Sequence, residues 1–145
     1  MIKMNPYFNF NGNTGDAMNF YKSVFGGEFT SHQQFKGMPC CEQMAPEDQE
    51  KFMHITLTTT KGLTFMATDI LESMGQKLIL GNNAHVCIHT ESEAETDKLF
   101  NALSLGGKVE MPVNKTFWGA YCGMCQDKFG IQWMLNYSYE NSTIK

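Results

Sequence analysis

AMNFYKSVFGGEF (residues 17–29) and DKLFNALSLGGKV (residues 97–109) read as one element written twice. The first carries Phe20, Val24 and Phe25 at helical spacing, and the second Leu99, Phe100, Leu103 and Leu105. Each run stops at a Gly-Gly pair, a natural helix end because glycine enters a left-handed cap without steric cost. Phe20 and Phe100, Gly26 and Gly106, and Gly27 and Gly107 are each 80 residues apart. Outward from the helices the match continues, with a strand before each, at about 4–10 and 84–90, and extended stretches ending in a hairpin after it. In the hairpins, Lys61-Gly62 leads into LTFMATD as Phe129-Gly130 leads into IQWMLNY, and Gly62 and Gly130 lie 68 residues apart. The simplest reading is an α+β chain of two tandem βαβββ modules, about 1–70 and 82–137, with a linker at 71–81 and a short tail at 138–145. Residues 1–145 then form a single domain, an open half-barrel sheet with the helices on its outer face.

Alternation along the strands sorts their residues onto two faces. Met4, Pro6, Phe8 and Phe10 oppose Asn5, Tyr7 and Asn9; Met53, Ile55 and Leu57 oppose His54, Thr56 and Thr58. Leu63, Phe65 and Ala67 oppose Thr64, Met66 and Thr68; Ala84, Val86 and Ile88 oppose His85, Cys87 and His89. Finally, Ile131, Trp133, Leu135 and Tyr137 oppose Gln132, Met134 and Asn136. The first set packs under the helices. A solvent face usually carries Lys and Glu, and the second set has neither. Uncharged polar groups, thioethers and imidazoles instead suit the wall of a pocket that fixes a small ligand by a few hydrogen bonds.

With 42% hydrophobic and 18% charged residues the chain is neither disordered nor fibrous. Its net charge of −4 opposes attraction to nucleic acid and to anionic membranes, and no apolar run reaches the roughly 18 residues of a membrane span. The first residues, MIKMNP, lack a signal-peptide core, so a cytoplasmic location is expected. Five cysteines without export signals read as free thiols. Cys122-Gly123-Met124-Cys125 lies in an extended run, where residues three apart point to opposite faces and no helix follows to acidify a thiol.

The segments NPYFNFNGNTGDAMNFYKSVFGGE, MHITLTTTKGLTFMATD and FWGAYCGMCQDKFGIQWML resemble the vicinal oxygen chelate superfamily of glyoxalase I, extradiol dioxygenases and fosfomycin and bleomycin resistance proteins. More closely they look like its PhnB-like branch, also labelled a 3-demethylubiquinone methyltransferase domain, from about Asn5 to Tyr137. The resemblance implies a glyoxalase-like fold and a homodimer, in which modules of two chains complete a shared cavity around a small, partly apolar metabolite or drug-like molecule. It also implies metal ligands on the first and last strands of each module, which here fall on Asn5, Met66, His85 and Met134. Only His85 among these is a good ligand for zinc, nickel, manganese or iron, so no metal or other cofactor is expected. The alternative is one divalent metal near His85, drawn from His54, His85 and His89, in a glyoxalase-, isomerase- or dioxygenase-like enzyme. The methyltransferase label finds no Gly-rich turn to hold S-adenosylmethionine, and the chain is too short for a doubly wound domain.

The expected ligand contacts are therefore Asn5, Tyr7, His54, Met66, His85, His89, Trp118 and Met134, with no catalytic residue assigned. The histidines read as pocket hydrogen bonders, and Trp118 as either a flat ligand contact or a buried strand residue. Asp69 and Asp127, beside turns, read as turn caps. Residues 37–51, with Pro39, Pro46 and an acidic cluster, read as a mobile loop able to lid the cavity.

Overall fold

A computed structural model describes residues 1–139, apart from the side chain of Cys40. The chain divides into two units, Met1–Ile79 and Leu80–Lys145. The first holds β1 (Tyr7–Phe10), α1 (Thr14–Phe25), β2 (Glu28–Gln34), α2 (Pro46–Gln49), β3 (Phe52–Thr58) and β4 (Thr64–Asp69). The second holds β5 (Val86–His89), α3 (Glu93–Ser104), β6 (Lys108–Lys115), β7 (Ala120–Gln126) and β8 (Gln132–Ser138). Each unit forms a four-stranded mixed sheet, ordered β1-β4-β3-β2 and β5-β8-β7-β6, with the outer β1–β4 and β5–β8 pairs parallel. These are the two βαβββ modules of an α+β fold. Of the expected tail, Ser138 closes β8 and Tyr139 follows it, while residues 140–145 lie outside the described residues.

The duplication extends to single hydrogen bonds. At the first hairpin the Thr59 amide donates to Leu63 O (2.8 Å) and the Gly62 amide to Thr59 O (3.0 Å). At the second, Asp127 donates to Ile131 O (2.8 Å) and Gly130 to Asp127 O (3.0 Å). Gly27 and Gly107 match as well: a Cβ on Gly27 would strike the Thr58 carbonyl, and one on Gly107 the Gln126 carbonyl. Side-chain-free backbone at both positions lets each helix end pass directly over the neighbouring strand.

The helix alignment is shifted by one residue from the sequence reading. Ala17, Met18 and Tyr21 form the buried face of α1, and Thr96, Phe100 and Leu103 that of α3, so Tyr21 rather than Phe20 corresponds to Phe100. Both helices have 12 residues, and Leu105 is the extra residue before the second Gly-Gly pair. Phe8, Tyr21 and Phe65 pack ring against ring in unit 1, with centroids 5.7 Å (Phe8–Tyr21) and 6.2 Å (Phe8–Phe65) apart. In unit 2, Phe100 lies where a Cβ on Gly123 would be, 2.9 Å away. Each such buried aromatic contributes roughly 1.5–3 kcal/mol of transfer free energy. The first strand begins at Tyr7, three residues later than expected, and Met4 is 95% exposed. The strand before α3 begins at Val86 rather than at 84.

Residues 37–51 are not an open loop. Pro39–Cys41 form a 3-10 turn and Pro46–Gln49 form α2, tied down by the buried Asp48. Ser73 Oγ donates to Asp48 Oδ2 (2.6 Å) and Lys51 Nζ stands 3.2 Å from Oδ1. The Ser73 hydrogen bond, aided by Lys51, holds the Asp48 carboxyl below its ordinary range against the opposing cost of burial.

Candidate functional site

Cross-strand partners share a face, so the register assigns the concave side of each sheet directly. In unit 1 the side away from α1 carries a row Tyr7–Met66–Thr56–Ser31 running over all four strands. His54, Thr68 and Asn9 extend this face. His54 Nε2 lies 2.6 Å from Thr56 Oγ1, and its ring centroid is 6.3 Å from that of Tyr7. Met53, read from alternation as a core residue beside Ile55, is skipped where the β2–β3 register passes from Gln33–His54 to Gln34–Phe52. This β-bulge turns Met53 to the concave side and sends the Phe52 ring against Gly15 of α1.

At the Asn9 end of this face lies a cavity of about 620 Å³, lined among others by Tyr7, Asn9, Phe35, Met53, Thr68 and Met74. Leu71 and Gln76, expected in a linker, fold against unit 1 and complete its wall. The one carboxylate in the lining, Asp69, is fully engaged. Its Oδ1 accepts from the Gly12 amide (2.8 Å), the Thr14 amide (3.1 Å) and Thr14 Oγ1 (2.7 Å), and its Oδ2 from the Phe52 amide (2.9 Å). Asn13, the N-cap of α1, makes no side-chain cap, so Asp69 caps that helix from another strand.

The concave face of unit 2 differs. His85 Nε2 lies 2.9 Å from Glu110 Oε1, and Gln132 Nε2 donates to Glu110 Oε2 (2.8 Å). Gln132 is only 5% exposed, and its Oε1 is buried without a hydrogen-bond partner. Glu110 thus gives the inward-facing His85 imidazole a carboxylate partner, which the strand alternation did not reveal. It is the extra residue where β6 passes from Val109–Cys125 to Met111–Met124. Thr30 occupies the same place in β2, between Phe29–Leu57 and Ser31–Thr56, so the bulge itself is duplicated. Thr30 and Glu110 lie 80 residues apart, but nothing in either segment marks the bulge, which only the strand pairing shows. His89 sits between Cys87 Sγ (3.8 Å from Nε2) and Asn136 Nδ2 (3.5 Å from Nδ1).

The remaining expected contacts are scattered. Asn5 is exposed and precedes β1, and Trp118, 44% exposed, sits in the β6–β7 turn with its ring 4.9 Å from that of the exposed Phe117. Of the expected contacts, Tyr7 alone lines the cavity. Asp127 caps its turn, accepting from the Phe129 and Ile131 amides and from the buried Trp133 Nε1 (2.8 Å). Cys122 and Cys125 point to opposite faces of β7, pairing with Asn136 and Trp133. Burial pushes both thiols up, Cys125 to about 12 with help from Asp127 and Glu110. Burial, then Cys122, also raises Cys87.

The divalent metal implied by the resemblance does not fit the donors present. Among the described residues no three His, Cys, Asp or Glu side chains stand together as a metal-holding set. No helix among these residues is long and apolar enough to cross a membrane.

A family model described as 3-demethylubiquinone-9 3-methyltransferase matches residues 2–136. The chain belongs to this family. Its PhnB-like character is matched by a PhnB protein from Bacillus cereus, 25% identical with a TM-score of 0.76, covering 94% of this chain and 100% of that one. Protein PA1353 from Pseudomonas aeruginosa is 33% identical, with a TM-score of 0.83 over 95% of this chain and 98% of its own. A glyoxylase/bleomycin resistance protein/dioxygenase domain from Frankia sp. EAN1pec, 10% identical, shares the fold at a TM-score of 0.66 over 95% and 98% of the two chains. The PhnB-like family thus takes the glyoxalase-like fold, two mixed sheets built from βαβββ modules, and not the doubly wound fold a methyltransferase label suggests.

Proposed function

We propose that this PhnB-like protein binds a small, uncharged, partly apolar molecule in the concave pocket of unit 1, without a metal. The cavity carries this reading: its volume of about 620 Å³ falls inside the roughly 300–1,000 Å³ of ordinary ligand sites. Met53, Met74, Phe35 and Tyr7 supply adaptable apolar surface, while Asn9 and Thr68 offer the few orienting hydrogen bonds. Asp69 is engaged by four donors of the fold, and the rest of the lining carries no ionisable acid or base at neutral pH. Tyr7 is the anchor, with His54 and Met66 extending the same face. We further take the working form to be a cytoplasmic homodimer, since each sheet ends in edge strands whose backbone groups need covering.

The test uses the full chain labelled with ¹³C at methionine methyls and a panel of neutral aromatic amides and alcohols. Binders are expected to shift Met53 and Met74 resonances, and Asn9→Leu to abolish the shifts. If only charged compounds bind, or if binders leave Met53 and Met74 unmoved, the reading fails. Light scattering giving a monomer at micromolar concentration refutes the dimer.

A second reading rests on His85. An imidazole held by the Glu110 carboxylate, which Gln132 in turn holds, is an oriented acid/base group, so an enzyme acting in unit 2 would use His85. Its signature is turnover lost in His85→Ala and in Glu110→Gln while ligand binding in unit 1 persists.

A further inference from the structure

The concave face of unit 2 carries a feature that ligand binding in unit 1 does not use. Cys87 of β5 pairs with Met134 of β8, Met134 with Met124 of β7, and Met124 with Met111 of β6. One row of directly opposed positions therefore presents sulfur on every strand of the sheet. The helix side of these strands is taken by Trp133, Leu135 and Cys125, so the alternate residues Met134 and Met124 face the concave side. All three methionines are partly exposed and Cys87 is exposed, which leaves the row open to an ion from solvent. Neighbouring strands in such a row lie about 4.7–4.9 Å apart, within reach of flexible thioethers converging on one ion. His89 Nε2, 3.8 Å from Cys87 Sγ, adds a nitrogen donor at one end.

We propose that Cys87, Met134 and Met124, assisted by His89 and Met111, form a binding site for a soft monovalent cation, copper(I), with silver(I) as its surrogate. Thioethers beside a single thiolate favour such ions; zinc would find only Cys87 and His89 here, short of its usual four ligands, and magnesium and manganese want oxygen donors. Binding replaces the Cys87 thiol proton, which passes to solvent, and no electron is transferred. An apolar floor alone would need no sulfur: the matching row of unit 1, Tyr7–Met66–Thr56–Ser31, has the same backbone geometry with a single sulfur.

The test is anaerobic titration of the reduced full-length protein with copper(I) against a chromogenic copper(I) chelator, with silver(I) titration followed on ¹³C-methyl methionine resonances. One copper(I) per chain is expected, and silver(I) should shift the Met134 and Met124 methyls while leaving the buried Met18 unmoved. The volume-conserving Met124→Leu/Met134→Leu double variant should lose about tenfold or more in affinity with an unchanged melting point. Cys41→Ser should bind as the parent does. If the parent yields all its copper(I) to the chelator, or if the double variant holds the ion as tightly, the row is an apolar floor and any retained ion is adventitious thiol binding.

Discussion

Asp69→Ala is the substitution that separates structural from chemical use of the one carboxylate in the unit 1 cavity. The side chain is buried and receives four donors: two amides at the start of α1, the Thr14 hydroxyl, and the Phe52 amide at the head of β3. A buried donor left without its acceptor costs about 1–3 kcal/mol, and loss of the anion at a helix N-terminus adds a fraction of that. Water entering the vacated space recovers part, since the cavity adjoins the site. We therefore expect a loss of about 4 kcal/mol for Asp69→Ala, out of a typical total of roughly 5–15 kcal/mol. Asp69→Asn should lose about 2 kcal/mol, because one oxygen still accepts while the amide nitrogen faces donors. The assay is urea unfolding at neutral pH, followed by far-ultraviolet circular dichroism. A loss below about 1 kcal/mol for Asp69→Ala would refute the capping role. A stable Asp69→Asn protein that no longer binds ligand would make the carboxylate a ligand contact instead.

Gly107→Ala drives a Cβ into the Gln126 carbonyl and should cost about 3 kcal/mol or more, whereas Gly106→Ala, whose Cβ has 3.5 Å of clearance and only positive φ against it, should cost about 1 kcal/mol; equal melting shifts would contradict this order. Iodoacetamide near pH ~8 should modify the exposed Cys87 ahead of Cys122 and Cys125, by peptide mass spectrometry; early labelling of Cys125, whose thiol burial pushes up to about 12, is the contrary result. The lowered Asp48 carboxyl stabilises the fold above its unfolded value near ~3.9, and that contribution is lost as pH falls through the lower folded value. Ser73→Ala should accordingly lower the melting point near pH ~6, with the difference from the parent shrinking toward strong acid. A difference that stays constant across that range removes Asp48 as the cause.

The parts of this fold legible in the sequence are those written locally. Helical spacing closed by Gly-Gly, and period-two alternation around Gly62 and Gly130, place both helices and both hairpins without knowledge of any partner. What the sequence hides depends on pairing. A bulge is a mismatch between two strands, so neither Met53 nor Glu110 carries a mark of its face in its own segment, and both belong to the sites that matter. Residues 37–51 look like a loop because the group that orders them, Ser73 on Asp48, lies 25 residues away. Trp118, flanked by Phe117 and Gly119, reads from sequence as a ligand contact or a buried strand residue; the turn from Thr116 to Ala120 places it, exposed, at a hairpin tip, which excludes only the buried strand.

The duplication supplies an internal comparison between two versions of one backbone. Thr30 and Glu110 occupy the same bulge, and Tyr7–Met66–Thr56–Ser31 and Cys87–Met134–Met124–Met111 occupy the same cross-strand row. Since backbone geometry is held constant, the contrast between a neutral oxygen-bearing face and a sulfur face with a paired imidazole and carboxylate comes from side chains alone. The two rows differ in donor type while Met66 and Met134 are the same residue, so each face offers its own ligand chemistry on one backbone pattern. Exchanging the rows tests that directly: Tyr7→Cys with Thr56→Met should confer silver(I) binding on unit 1 if the row geometry, and not some feature peculiar to unit 2, makes the site.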